Sequence, residues 1–313
     1  MSLSPARREH LDGLAILLLM GCSLIWGLNQ VAAKLALPEV PPLTQAALRS
    51  AGAAVLVIGW ALWRGVPLFQ RDGTLRAGLL AGSLFALEFA LIFGGLQFTS
   101  ASRMAVFIYL SPFVVALGMP LIARNERLAP LQWCGLAIAF GGVALALAEG
   151  FAGPTIGPRQ WWGDLMGVGA AVLWGATTLV IRASALSQAA AEKTLVYQLL
   201  VSALLLGLAA LWIGNPLPVR WSAIGWGSML FQTVVVCFAS YLTWFWLMRH
   251  YPATRISTFV LLTPVAGLLF GVVLLREPLT WQLLLALAAV VAGISLVNRK
   301  PAAAPATPSA SKS

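Results

Sequence analysis

The sequence predicts an all-α membrane protein of ten transmembrane helices, arranged as two inverted five-helix repeats. Three observations predict it. Of 313 residues, 60% are hydrophobic and only 10% charged, against roughly 25% charged in a soluble globular domain. The apolar residues come in continuous runs such as Leu14 to Ile25 and Leu283 to Val297, the pattern of helices that need roughly 20 such residues to cross a bilayer. The motifs of the first half return in order in the second. An outer-membrane barrel would show alternating polarity over strands of about ten residues, which these runs do not, and helices are the remaining way to satisfy a backbone in lipid.

Turn residues, charges and Pro/Gly clusters bound the spans in order. The first, 12–36, starts at Asp12 and stops before Leu37-Pro38, and the second, 43–63, runs from Pro41-Pro42 to Arg64-Gly65. The third and fourth, 76–97 and 103–122, lie between Asp72-Gly73 and Arg124 and are separated by Thr99 to Ser102. The fifth, 130–148, opens on Pro130 and closes before Glu149-Gly150. The sixth to eighth are 163–184, 194–214 and 222–248, the ninth is 254–275, stopped by Arg276-Glu277-Pro278, and the tenth is 281–298. The expected organisation is thus a cytoplasmic N-terminus over 1–11, five spans in 12–148, an outer linker over 149–162, five spans in 163–298, and a disordered cytoplasmic tail over 299–313, rich in Pro, Ala and Ser.

The formal net charge of +10 would suggest nucleic acid in a soluble protein, but the basic residues are scattered between apolar runs without interleaved aromatics. They report topology instead. With the N-terminus inside, 14 of the 20 Lys and Arg residues fall on the cytoplasmic side and 6 outside, the asymmetry that orients membrane proteins. Cys22, Cys134 and Cys237 lie within apolar runs without metal-ligand spacing, so no metal site, disulfide framework or cofactor is expected. Leu19-Met20-Gly21-Cys22 after Arg7 and Arg8 faintly resembles a lipoprotein cleavage box. Met20 fits that box poorly, and the apolar run continues to Leu37.

Ala101-Ser102-Arg103 through Ser111-Pro112 aligns without gaps at an offset of 152 with Ala253-Thr254-Arg255 through Thr263-Pro264. Trp26-Gly27 through Lys34 matches Trp174-Gly175 through Arg182 at 148, and Glu126-Arg127-Leu128 matches Glu277-Pro278-Leu279 at 151. Five spans per half is an odd number, so the second half enters the membrane from the opposite side. Inverted repeats of this kind place a binding site near the midplane, between the halves, and allow alternating access.

Trp26-Gly27-x-Asn29 with Lys34, Arg49, Thr99-Ser100-Ala101-Ser102-Arg103 through Ser111-Pro112, Glu126-Arg127-Leu128 with Gln132 and Gly135, and the echo Thr263-Pro264 with Glu277-Pro278-Leu279 together resemble the drug/metabolite transporter superfamily, EamA-domain branch. The resemblance spans 12 to 298. It implies a bacterial inner-membrane exporter of amino acids, related metabolites or toxic compounds through a central cavity.

Candidate site residues follow from polarity at membrane depth. Glu88 lies mid-span, where a carboxylate must pair, face water or take a proton. It is a candidate for substrate contact or coupling, and Arg49 is its candidate ion-pair partner. Trp26, Asn29 and Trp174 lie at corresponding levels of the first span of each half and suit a cavity for amphipathic solutes. Tyr109, Gln232 and Tyr241 are candidate hydrogen-bonding groups toward substrate, with interhelical bonding as the alternative. Thr233 and Ser240 belong to the same polar set. Pro112 and Pro264 are candidate hinges. Lys34 and Arg182 are expected to anchor at the interfaces.

No Walker motif is present for nucleotide hydrolysis, and no mid-membrane His, zinc motif, Gly-x-Ser-x-Gly or paired carboxylates support an intramembrane enzyme. The expected protein is a secondary transporter. Its expected partners are the lipid bilayer and an amino acid, metabolite or amphipathic cation, with no nucleic acid. Cationic-drug efflux and lipid-linked flipping are alternatives. One chain holds both halves, so a monomer suffices and a dimer is not required.

Overall fold

The computed structural model describes residues 12–122, 130–152, 155–214, 221–251 and 259–297. Segment 1–11, the motif Glu126-Arg127-Leu128, the start of the ninth expected span and the tail lie outside them. Every regular element among the described residues is helical. Eight stretches are long and apolar enough to cross a membrane, and two shorter apolar helices, Leu262–Leu275 and Trp281–Val297, accompany them.

The helices are α1 Gly13–Ala36, α2 Pro42–Trp63, α3 Leu75–Gly95, α4 Ala101–Ile108, α5 Ser111–Ile122, α6 Pro130–Ala152, α7 Gln160–Arg182, α8 Ala191–Trp212, α9 Ala223–Leu230, α10 Tyr241–His250, α11 Leu262–Leu275 and α12 Trp281–Val297. Their starts follow local chemistry. Asp12 accepts from the Ala15 N–H at 2.9 Å to cap α1, Pro42 opens α2, and Ser222 caps α9 through the N–H groups of Ile224 and Gly225. α6 runs past the expected end of its span, because the Glu149 carboxylate finds a partner inside the bundle.

Two of the long stretches are interrupted. The fourth breaks at Tyr109-Leu110 into α4 and α5, with Pro112 in the first turn of α5. Pro264 is the third residue of α11. At these positions the missing N–H has no intrahelical acceptor to lose, so both candidate hinge prolines stand in the first turn of a helix. In the eighth stretch, Phe231–Ser240 between α9 and α10 winds as a π-helix.

α1 packs on α11 and the π segment, α2 on α8 and the π segment, α3 on α7 and α8, α4 on α11 and α7, α5 on α7, and α6 on α12. Small residues set two of these approaches. A Cβ at Gly27 would lie 2.7 Å from the Gly267 nitrogen, and one at Gly293 would lie 2.5 Å from the Gly135 carbonyl oxygen, so α1/α11 and α6/α12 touch through backbone. Phe85, Phe89, Phe93, Met104, Phe107 and Phe113 fill the centre. Leu121, Trp63 and Trp212 stand exposed on the outside, an apolar surface that suits lipid. The C-terminal ends of α1, α6 and α11 meet the N-terminal ends of α4, α7 and α12, and Arg103 marks this end of the bundle.

Candidate functional site

Two buried polar clusters occupy the interior, one central and one at the Arg103 end. In the central cluster, Gln45 and Arg49 lie one turn apart on α2, and both are buried. Gln232 of the π segment donates from Nε2 to Gln45 Oε1 at 2.9 Å. The Arg49 guanidinium lies over the Phe89 ring at 4.2 Å and the Phe93 ring at 5.3 Å. It stands within electrostatic reach of Glu88, Cys237 and Tyr241. Yet no hydrogen bond reaches any of its three nitrogens, and Glu88 Oε2 also has none. Arg49 is 1% exposed and Glu88 5%. The expected Arg49–Glu88 pair is therefore a proximity of two buried charges, with no N···O contact within 4 Å.

An aromatic wall adjoins this pair. Trp26 Nε1 donates to Ser240 Oγ at 2.8 Å, and its ring meets Tyr241 edge-on at 6.3 Å and Trp244 at 5.0 Å. Tyr109, at the α4/α5 break, meets Trp174 edge-on at 5.7 Å and lies near Tyr241 and Thr263. The structure thus joins Trp26, Arg49, Glu88, Tyr109, Trp174 and Tyr241 into one chain of neighbours. Gln232 lies one α2 turn away through Gln45. Asn29 is buried with its Oδ1 lacking a partner. Pro112 and Pro264 flank the cluster in sequence, next to Tyr109 and Thr263.

At the other end Arg103 is paired through all three of its nitrogens. Arg103 donates from Nε and Nη2 to the Asp164 carboxylate at 2.6 to 3.2 Å, from Nη1 to Glu149 at 2.9 Å, and from Nη2 to the Ala146 carbonyl at 2.5 Å. Thr99 Oγ1 donates to Asp164 at 2.5 Å and Thr280 Oγ1 to Glu149 at 3.0 Å. Glu277 accepts from the N–H groups of Ala101 and Ser102 at 2.7 and 2.9 Å and from Ser102 Oγ at 2.6 Å, placing a carboxylate at the positive end of α4. Lys34 donates to the Thr99 carbonyl and lies 4.0 Å from Glu277. It ties helices together here, where the sequence suggested an interface anchor. A cavity of about 370 Å³ opens beside it, lined by Lys34, Ser100, Thr155, Arg276 and Glu277.

Sequence reasoning missed Asp164, Glu149 and Gln45. Asp164 had a readable signal, an acid just inside an apolar span, whereas Gln45 is identified only by its partner across 187 residues. Two further ties lie in the loops. Ser222 donates from N and Oγ to Glu39, and these bonds hold that carboxyl below its ordinary range. Lys193 and Thr74 hold Asp72 down at about 2. No group of three or more metal-ligating side chains occurs among the described residues.

Known proteins carry the same pattern. A transporter from Bacillus subtilis, uncharacterized transporter YvbV, is 28% identical over 91% of both chains. A probable amino-acid metabolite efflux pump of Salmonella typhimurium is 27% identical over 90% of this chain and 93% of its own. An uncharacterized transporter of Archaeoglobus fulgidus is 26% identical over 91% and 97%. A solved crystal structure shares the fold with a TM-score of 0.64 at 21% identity, covering 91% of this chain and 96% of its own. The EamA-like transporter family model matches twice, over residues 13–148 and 161–299. With its apolar helices, the chain is a multi-pass membrane protein and belongs to the EamA-like transporter family.

Proposed function

We propose that the protein is a secondary transporter that exports an amino acid or related small metabolite across a bacterial inner membrane by alternating access, with both termini cytoplasmic. The observation that carries the reading is the central cluster. It is buried, polar and aromatic, and both halves build it: Trp26, Arg49, Glu88 and Tyr109 from the first, Trp174, Gln232 and Tyr241 from the second. Ten spans in two inverted repeats are supported by the two family matches and by the packing. In that reading α1 corresponds to α7 and α4/α5 to the α11 span, so α1 on α11 and α7 on α4/α5 are the same contact seen twice. α2 on the π segment and α8 on α3 are another such pair.

Two relatives, probable amino-acid metabolite efflux pumps at identities of 27% and 26%, support efflux of such metabolites. The unpartnered Glu88 oxygen favours a second reading, efflux of amphipathic cations. Counterflow in proteoliposomes with labelled amino acids and a cationic dye, comparing wild type with Glu88→Gln across an imposed pH gradient, separates them. Amino-acid accumulation that collapses without the gradient, and in the variant, is the expected result. Accumulation indifferent to both makes the protein a facilitator with Glu88 acting only on Arg49. Dye movement alone, lost in the variant, favours the second reading, and movement of neither probe overturns the proposal.

A further inference from the structure

Arg49 and Arg103 are the same side chain, equally buried, under opposite treatment. The protein supplies Arg103 with two carboxylates and a carbonyl on all three nitrogens. It supplies Arg49 with two aromatic faces, the Tyr241 hydroxyl and the Cys237 thiol nearby, and no acceptor placed to close a hydrogen bond on any of its three nitrogens. A guanidinium carries five N–H donors in a fixed fork, and contact with rings does not offset burying that fork unsatisfied. The neutral Tyr241 and Cys237 groups leave most of these donors open, and the geometry that completes a fork is a planar carboxylate bound through two parallel hydrogen bonds.

We infer that Arg49 is the specificity residue of the central site and reads a carboxylate on the substrate, whose apolar part lies against Trp26, Tyr109 and Trp174. This rests on the central-site reading above. Thermal stabilisation of the purified protein by leucine and phenylalanine, compared with their amides, tests it, because a ligand that binds the folded state raises its melting temperature. Loss of charge-assisted bonds of this kind weakens binding by about tenfold or more. The acids are expected to stabilise wild type at concentrations at least tenfold below the amides, Arg49→Gln to lose that preference, and Arg64→Gln, at an exposed arginine past the end of α2, to keep it. Arg49→Lys, which retains the charge, is expected to keep the preference at weaker affinity and serves if the Gln variant is not monodisperse. Equal response to acid and amide in wild type, no response to either, or preference retained in Arg49→Gln overturns the assignment. Acid-selective stabilisation without counterflow would leave Arg49 standing and remove the transport reading; counterflow that ignores the carboxylate would do the reverse.

The two ends of the bundle carry matching cross-ties. At one end Thr99, just before α4, donates to Asp164 near the start of α7. At the other, Tyr251 Oη donates to Asp12 at the start of α1, at 3.0 Å. Tyr251 follows Thr99 by 152 residues, the offset of the repeat around it. Asp12 lies one helical turn beyond the position that answers to Asp164 at the α1/α7 offset of 148. In each case the first helix of one half is tied to the approach to the fourth span of the other.

We propose that these ties are alternate latches, each holding one end shut. A cysteine at Gln30, which is 5% exposed, placed in a background lacking Cys22, Cys134 and Cys237, reports opening to a membrane-impermeant maleimide applied to either side. Asp164→Asn and the milder Thr99→Val are expected to raise labelling several-fold from the Arg103 end, and Tyr251→Phe from the opposite side. Variants that shift labelling toward the same side, or that leave it unchanged, overturn the proposal.

Discussion

Gly27 sits where α1 and α11 meet backbone to backbone, and a methyl group there would press on the Gly267 nitrogen at 2.7 Å. A helix cannot yield locally to such a contact, so Gly27→Ala is expected to destabilise by about 1–3 kcal/mol. Gly21, six residues earlier on α1, meets nothing within 4 Å, and Gly21→Ala should gain about 0.5–1 kcal/mol from helix propensity. Thermal melts of both variants in detergent check the pair. Asp72 gives a pH dependence with a defined sign. Its carboxyl ordinarily titrates near 3.8 and is held at about 2 by Lys193 and Thr74, so the folded state favours its charged form. That stability is complete above the ordinary value and fades as pH falls toward 2. The melting difference between wild type and Asp72→Asn should hold steady from neutral pH to about 4 and shrink below it. At this scale Glu88 and Arg49 were legible, because a charge inside an apolar run is conspicuous. Their lack of contact was not, since α2 and α3 can place the two side chains side by side or a turn apart without altering either span's pattern.

Helices as units were legible from apolar length alone, yet two interruptions were not. The break at Tyr109-Leu110 carries no glycine, and Pro112 marks the restart and not the break. Phe231–Ser240 reads as ordinary apolar helix, and nothing in the spacing distinguishes i→i+5 winding from i→i+4. This π segment does specific work: it presents Gln232 to Gln45, Ser240 to Trp26 and Cys237 toward Arg49. π segments often sit at functional sites because an added residue re-aims the chain after it. Deleting the outward-facing Val234 should relax the segment toward α-helix and rotate Tyr241 away from Trp26 by roughly one residue's worth of turn, about 100°. Transport is expected to fall to background while the amount of protein in the membrane, measured by immunoblot, stays near wild type.

The whole chain was legible through its duplication, which is a property of order and needs no coordinates. The pairing of helices across the halves was not legible, because offsets in sequence say which helices correspond and not which ones touch. Arg103 illustrates the gap. Its motif signalled the family, while its partners are 46 and 61 residues further along the chain. Arg103 is the third residue of α4, near a span end, where inserting an arginine costs less than the about 2.5–3.5 kcal/mol it costs at a helix centre, and a ribosome adds roughly 5–20 residues per second. Arg103 therefore leaves the ribosome about 3–12 s before Asp164 does, and the fourth span must enter the membrane as a debtor to a helix not yet made. A chain truncated before Asp164 should let that span slip out, as read by a glycosylation tag in its flanking loop, whereas one truncated after Arg182 should hold it. What is made first is completed by what is made later, so synthesis has a point before which the helix that carries Arg103 is only provisionally in place.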